Sequence, residues 1–267
     1  MNPIVCFTDF SAVADQAMDA ALQISERCQA EMYLVHATGS ISDLSEIESE
    51  MNLLKKTRRE GVGKNSFKRK TIAVEKIGDL NREVERLGAG MVIIGSRGRN
   101  RTRDVFFGST TKRAILNIDK PVLIIKESTD FDQINNVVIA SSFFRETQAP
   151  FSSIIPIIES CNLSITLLKV ITPENFETFG QSQFAIRDFA KKVGLSDYDV
   201  HIRNHDKREL GIEEFMKDRA NSILLVGTHE KGALSSVFYG SSADQLSKHI
   251  KQPVLSVLIK KTIQKSQ

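Results

Sequence analysis

The sequence predicts an α/β protein built from two tandem open-sheet domains, each a parallel sheet with helices on both faces. Three observations carry this. Short apolar runs alternate with amphipathic stretches, which is the pattern of strand–helix units. The central apolar runs are nearly uninterrupted, as strands covered on both faces require. The chain also repeats itself. Ile4-Val5-Cys6-Phe7-Thr8-Asp9-Phe10 returns as Val137-Val138-Ile139-Ala140-Ser141-Ser142-Phe143, and Met91-Val92-Ile93-Ile94-Gly95 as Ile223-Leu224-Leu225-Val226-Gly227. Phe107-Gly108-Ser109 returns as Tyr239-Gly240-Ser241, and Lys120-Pro121-Val122-Leu123 as Gln252-Pro253-Val254-Leu255. The offset is 132 or 133 throughout, too long for a solenoid unit. The boundaries expected are residues 1–128 and 134–261, with the polar Glu127-Ser128-Thr129-Asp130 in the linker.

The elements of the first copy follow in order. Ile4–Thr8 reads as a strand. Ala12–Cys28 has apolar residues at helical spacing (Ala14, Ala17, Met18, Ala21, Leu22), with Ser11 placed to cap it. Glu31–His36 is the second strand and Ser42–Arg59 a helix with a charged face. Thr71–Glu75 is the third strand, Asn81–Leu87 a short helix and Met91–Ile94 the fourth strand. Ser109–Asn117 is a helix and Val122–Ile125 the fifth strand. The second copy repeats this from Val137 to Ile259, with Pro156 expected to kink or shorten its first helix.

Composition excludes several classes. At 267 residues, 41% hydrophobic and 26% charged, the chain is neither disordered nor fibrous. No apolar run approaches the ~18–20 residues of a membrane span. The N-terminus lacks the basic-then-apolar order of a signal peptide. Three scattered cysteines (Cys6, Cys28, Cys161) argue against disulfides and zinc, read as small apolar fillers, and fit a cytoplasmic protein. A net charge of +3 is too weak to imply nucleic acid. Lys55-Lys56-Thr57-Arg58-Arg59 with Lys64, Lys68, Arg69 and Lys70 is the best argument for an acidic partner, but only Phe67 is there to stack on bases.

The chemistry concentrates after the fourth strand. Gly95-Ser96-Arg97-Gly98 is followed, after nine intervening residues, by Gly108-Ser109-Thr110. A loop leaving a parallel strand and entering a helix N-terminus directs free N–H groups and a positive dipole end outward. Glycines let backbone approach an anion. Ser109 and Thr110 add hydroxyl donors, and Arg97, Arg99, Arg101 and Arg103 stand against one acid, Asp104. This is a phosphate cradle. Asp9, at the carboxyl end of strand one, faces it if strands one and four are neighbours where the strand order reverses. A carboxylate there bonds ribose hydroxyls; an acid at a strand end also serves as a plain helix cap. His36, ending an apolar strand, reads as a satisfied core histidine.

Gly-x2-Gly-x9-Gly-Ser, the strand ending Thr-Asp-Phe-Ser and the Pro-Val-Leu final strand resemble the universal stress protein family, twice over nearly the whole chain. The resemblance implies a five-stranded parallel sheet of order 3-2-1-4-5 in each copy. It implies ATP or AMP binding, with magnesium an optional companion. Carried over by position, Asp9 contacts ribose, Thr8 and Ala37 lie near adenine, and Gly95, Gly98, Gly108, Ser109 and Thr110 surround phosphates, with Arg97 in the same loop. The resemblance also implies pairing of final strands, which a tandem chain satisfies internally through Val122–Ile125 and Val254–Leu258; further homodimerisation is left open.

The second copy departs from the pattern. Ser142 stands in Asp9's place and Glu230 in Gly98's. Two like charges ~4 Å apart repel by ~4 kcal/mol at an effective dielectric near 20, a cost of several hundredfold in affinity. One nucleotide site per chain is therefore expected, in the first copy. There is no Gly-x4-Gly-Lys phosphate loop, nucleophile elbow or metal cluster in the sequence, so no catalytic residue is assigned. The expectation is a nucleotide-binding stress-response regulator acting on a protein partner. A slow ATPase and a nucleotide-free scaffold are the alternatives.

Overall fold

The computed structural model describes residues 2–38, 49, 68–73, 77–96, 118–126, 129–143, 151–229 and 250–259. The chain divides into two compact units, Met1–Phe131 and Asp132–Gln267.

Unit 1 contains β1 (Ile4–Thr8), α1 (Ala12–Arg27), β2 (Met32–Thr38), β3 (Lys68–Ala73), α2 (Ile77–Arg86), β4 (Met91–Gly95) and β5 (Val122–Ile125). All its strands are parallel, in the order β3-β2-β1-β4-β5. This is the order the resemblance implies. β1, β4 and β5 are buried along their whole length. The reason is coverage: α1 lays Val13, Ala17, Met18, Ala21 and Ile24 against one face of the sheet. At ~25 cal/mol per Å² of apolar surface, each of the buried Val13, Met18 and Ile24 side chains contributes on the order of 1.5–3 kcal/mol, and each alanine methyl less than about 1 kcal/mol. Ser11 caps α1 as expected, its Oγ accepting from the Ala14 N–H at 3.3 Å. Of the predicted helix Ser42–Arg59 only Ser49 is described, and it is helical; the predicted helix Ser109–Asn117 lies outside the described residues.

β3 (Lys68–Ala73) starts three residues before the expected Thr71, and the end expected at Glu75 lies outside the described residues. Its register on β2, Tyr33 with Lys68 through Thr38 with Ala73, explains the shift. An edge strand is fixed by its backbone pairing and tolerates basic residues that an apolar pattern rejects. Lys68 is held there by Glu31 at 2.7 Å and lies 5.4 Å from the centre of the Tyr33 ring.

Unit 2 repeats the plan with β6 (Asn136–Ala140), α3 (Ile155–Ser160), β7 (Ser164–Ile171), α4 (Phe179–Val193), β8 (Asp199–Asn204), α5 (Arg208–Lys217), β9 (Ser222–His229) and β10 (Val254–Ile259). The parallel order is β8-β7-β6-β9-β10, again 3-2-1-4-5 within the unit. Pro156 acts as expected: helical residues 151–152 give way to a turn, and α3 restarts with Pro156 in its first turn. Proline has no N–H to bond back to residue 152, so the helix is interrupted there. Phe189 of α4 is fully buried between Phe143, at 5.0 Å, and Phe151, at 5.4 Å, both in edge-on contact.

Candidate functional site

In unit 1, β1 is paired with β2 on one side and β4 on the other. The strand order reverses at β1, so the crevice where ligands of open sheets bind lies at its carboxyl end. The β1–β4 register runs from Ile4 with Met91 to Cys6 with Ile93; continued, it sets Thr8 level with Gly95 and Asp9 level with Ser96. Asp9 and the start of the glycine loop therefore leave neighbouring strands side by side.

Local hydrogen bonds fix the Thr8–Ser11 turn. Phe10 takes φ 60°, a left-handed conformation uncommon for a residue with a side chain. It is held there because Thr8 Oγ1 accepts from the Phe10 N–H at 3.0 Å. Asp9 Oδ1 accepts from the Ser11 N–H at 3.2 Å. The capping alternative is thus partly realised, since one carboxylate oxygen orders the turn into α1. The same bond anchors the carboxylate at the strand end, half-buried.

His36 sits beside this turn. Its Nδ1 lies 2.9 Å from the Thr8 carbonyl. A carbonyl only accepts, so Nδ1 carries the proton. The ring stacks on Phe10 with centroids 4.8 Å apart and planes 19° from parallel. His36 is the satisfied histidine expected, with a role the sequence did not show: it braces the left-handed Phe10. Ala37, the next residue on β2, is half-buried, and Thr8 is buried.

Gly95 has a packing role of its own. A Cβ there would lie 3.0 Å from Val13 Cγ1 and 3.1 Å from the Val13 backbone carbonyl carbon and oxygen. The glycine lets the first turn of α1 pack directly on β4. Ser96 is buried and its N–H donates to the Ile125 carbonyl at 2.8 Å. Arg97, Gly98, Gly108, Ser109 and Thr110 lie outside the described residues.

The Cys6 thiol is pushed far above its ordinary range by burial, and secondarily by the carboxylates of Asp19 and Asp15. It stays protonated and unreactive, as an apolar filler does. Among the described residues no group of three His, Cys, Asp or Glu side chains could hold a metal ion, and no helix is long and apolar enough to cross a membrane.

Unit 2 builds the same turn with different chemistry. Ser141 Oγ accepts from the Phe143 N–H at 3.0 Å, and Phe143 also has φ 60°. No carboxylate follows, since Asp9's counterpart is Ser142. Instead Lys169 on β7 donates to the Ser142 carbonyl at 2.9 Å and pairs with Glu177 Oε2 at 2.6 Å. Sequence reasoning passed over this pair. The available signal was a single lysine inside the apolar strand Ser-Ile-Thr-Leu-Leu-Lys-Val-Ile.

A model of the universal stress protein family matches residues 1–126 and again residues 135–257. The chain belongs to that family. As a tandem member it is similar over its whole length to solved structures of the same size. A universal stress protein from Archaeoglobus fulgidus superposes with TM-score 0.67 at 16% identity, covering 96% of this chain and 98% of that one. A functionally unknown protein from Pseudomonas aeruginosa PAO1 gives 0.66 at 16%, covering 97% and 93%. The cytoplasmic domain of a prokaryotic cation chloride cotransporter gives 0.57 at 11%, covering 96% and 94%. At these identities the likeness establishes the fold alone. No curated protein is significantly similar in sequence.

Proposed function

We infer that unit 1 of this universal stress protein binds an adenine nucleotide, ATP or AMP, and that the protein is a cytoplasmic stress-response regulator. The observation that carries the reading is the Asp9 carboxylate, anchored by the Ser11 N–H at the point where the strand order reverses, level with the first residues of Gly95-Ser96-Arg97-Gly98. In this reading the carboxylate accepts from ribose hydroxyls. Thr8 and Ala37 border the base, and Arg97, Gly98, Gly108, Ser109 and Thr110 take the phosphates. Nucleotide would order the arginine-rich loop and change the surface shown to a protein partner.

The test is to denature freshly purified protein, identify the released small molecules by chromatography, and then titrate the stripped protein with ATP and AMP, with and without magnesium. One adenine nucleotide per chain, lost in Gly98→Glu and weakened in Asp9→Ala, supports the site. Unchanged affinity in Gly98→Glu removes it. Steady phosphate release that scales with protein and dies with Asp9→Ala would favour a slow ATPase. No nucleotide and no binding would leave the scaffold.

A further inference from the structure

The two crevices differ in a way that Ser142 and Glu230 do not exhaust. In unit 1 the β1–β2 register sets Thr8 level with His36. In unit 2 it sets Ala140 level with Leu168, and so Ser141 level with Lys169. Lys169 is therefore the counterpart of His36, as Ser142 is of Asp9. Both side chains reach back with a nitrogen to a carbonyl at the end of the first strand: His36 Nδ1 to Thr8 and Lys169 Nζ to Ser142, each at 2.9 Å. Unit 1 places an imidazole there, and unit 2 a cation.

That cation cannot stand alone. Lys169 is 3% exposed, and a buried ammonium needs a counter-ion. Glu177 supplies it from the segment that follows β7. After Ile171 the chain makes a turn at Pro173–Asn175 and comes back, so that Glu177 meets Lys169 two residues before the end of β7. The carboxylate is itself secured. Its Oε2 accepts from the Ser182 hydroxyl at 3.2 Å, and Ser182 is fully buried. Glu177 directly precedes Thr178, the N-cap of α4, so it also lies at the positive end of a 15-residue helix. Thr178 and Gln181 close that end in a reciprocal capping box.

We propose that the Lys169–Glu177 pair is a built-in occupant of the unit 2 crevice and the structural determinant that closes it to nucleotide. The proposal rests on the reading of unit 1 as the nucleotide site. A nucleotide entering unit 2 would meet a carboxylate already bonded to the cation that β7 sends to the end of the first strand. Displacing it would leave Lys169 to a phosphate but would bring Glu177 against the same polyanion.

The test grafts the unit 1 motif onto unit 2 in the full chain and counts ATP sites by equilibrium dialysis, with Gly98→Glu present or absent to locate each site. Ser142→Asp with Glu230→Gly is expected to leave the count at one per chain. Adding Lys169→His with Glu177→Gln, which restores the unit 1 residue and removes the tethered charge, is expected to raise it to two. The added site should bind at least ~30-fold more tightly than unit 2 does in the two-residue graft. Where that four-residue chain melts early, Lys169→Met with Glu177→Ser on the same background leaves no buried charge and is expected to give the same count. Two sites from Ser142→Asp and Glu230→Gly alone would overturn the proposal. So would a count that stays at one in a pair-free chain with wild-type circular dichroism. A wild-type count of zero would instead be the failure of the unit 1 reading.

Discussion

Gly95 is read from sequence as a residue that lets backbone approach phosphate, and the structure gives it a second role. Its missing Cβ is what lets Val13 rest on β4, with backbone atoms only 3.1 Å from where that Cβ would be. The neighbour is helix backbone and cannot swing aside, so Gly95→Ala should displace the first turn of α1. Overpacking of this kind costs ~1–3 kcal/mol. The Asp9 carboxylate is hydrogen-bonded to the Ser11 N–H at that same turn, so Gly95→Ala should also weaken nucleotide binding by displacing that turn. Urea denaturation and ATP titration of one preparation read both effects. Gly180, in the first turn of α4 with nothing within 4 Å of an added Cβ, is the control. Gly180→Ala should be neutral or stabilising by up to ~1 kcal/mol. Equal losses at the two positions would refute the packing account of Gly95.

At the scale of elements, helix propensity and packing can be set against each other in α5. Gly211 lies inside that helix, where Gly→Ala ordinarily gains ~1 kcal/mol. A Cβ there would sit 2.7 Å from Val170 Cγ1 and 3.0 Å from His205 Cβ. Val170 is a buried β-branched residue on β7 with little rotameric freedom. Packing should win, and Gly211→Ala should destabilise by ~1–2 kcal/mol in chemical denaturation; a gain in stability would show that α5 slides on β7 freely. The same competition marks the limits of what the sequence tells. Strands β1, β4 and β6 were legible because strands covered on both faces must be continuously apolar. The interruption at Pro156 was legible because it is a property of one residue. The start of β3 was not, because backbone pairing with β2 selects it. The Lys169–Glu177 pair was not legible either. Its partners are joined by a reversal of the chain through Pro173–Asn175 that no periodicity announces. Of the candidate site, the strand end bearing Thr8 and Asp9 could be placed from sequence, since the duplicated pattern fixes where β1 stops. The Phe10–His36 stack could not, because it depends on a left-handed φ at residue 10.

For the molecule as a whole, duplication has supplied two copies of one sheet whose first-strand ends carry different side chains, Asp9 and His36 in unit 1 and Ser142 and Lys169 in unit 2. The divergence extends to the edge strand β8 of unit 2, where it gives the folded chain a pH dependence. His201 on β8 lies against Phe215, ring centroids 5.0 Å apart. Arg219 rests on the same ring at 3.6 Å and Arg203 at 6.0 Å. Burial, and then the charges of Arg219 and Arg203, hold the imidazole below its ordinary value of 6.5. The folded chain therefore takes up this proton less readily than the unfolded chain. Stability rises with pH wherever the unfolded state binds more protons. The contribution of His201 is thus fully present above pH 6.5 and is lost as pH falls from there towards the folded-state value. His201→Gln removes the group from both states. It should flatten the pH dependence of unfolding free energy between about pH 7 and 5, leaving the carboxylate-driven loss at lower pH unchanged. Urea unfolding at half-unit steps of pH measures this. Wild-type and His201→Gln curves that run parallel through the window would mean that the arginines beside Phe215 do not disfavour the imidazolium.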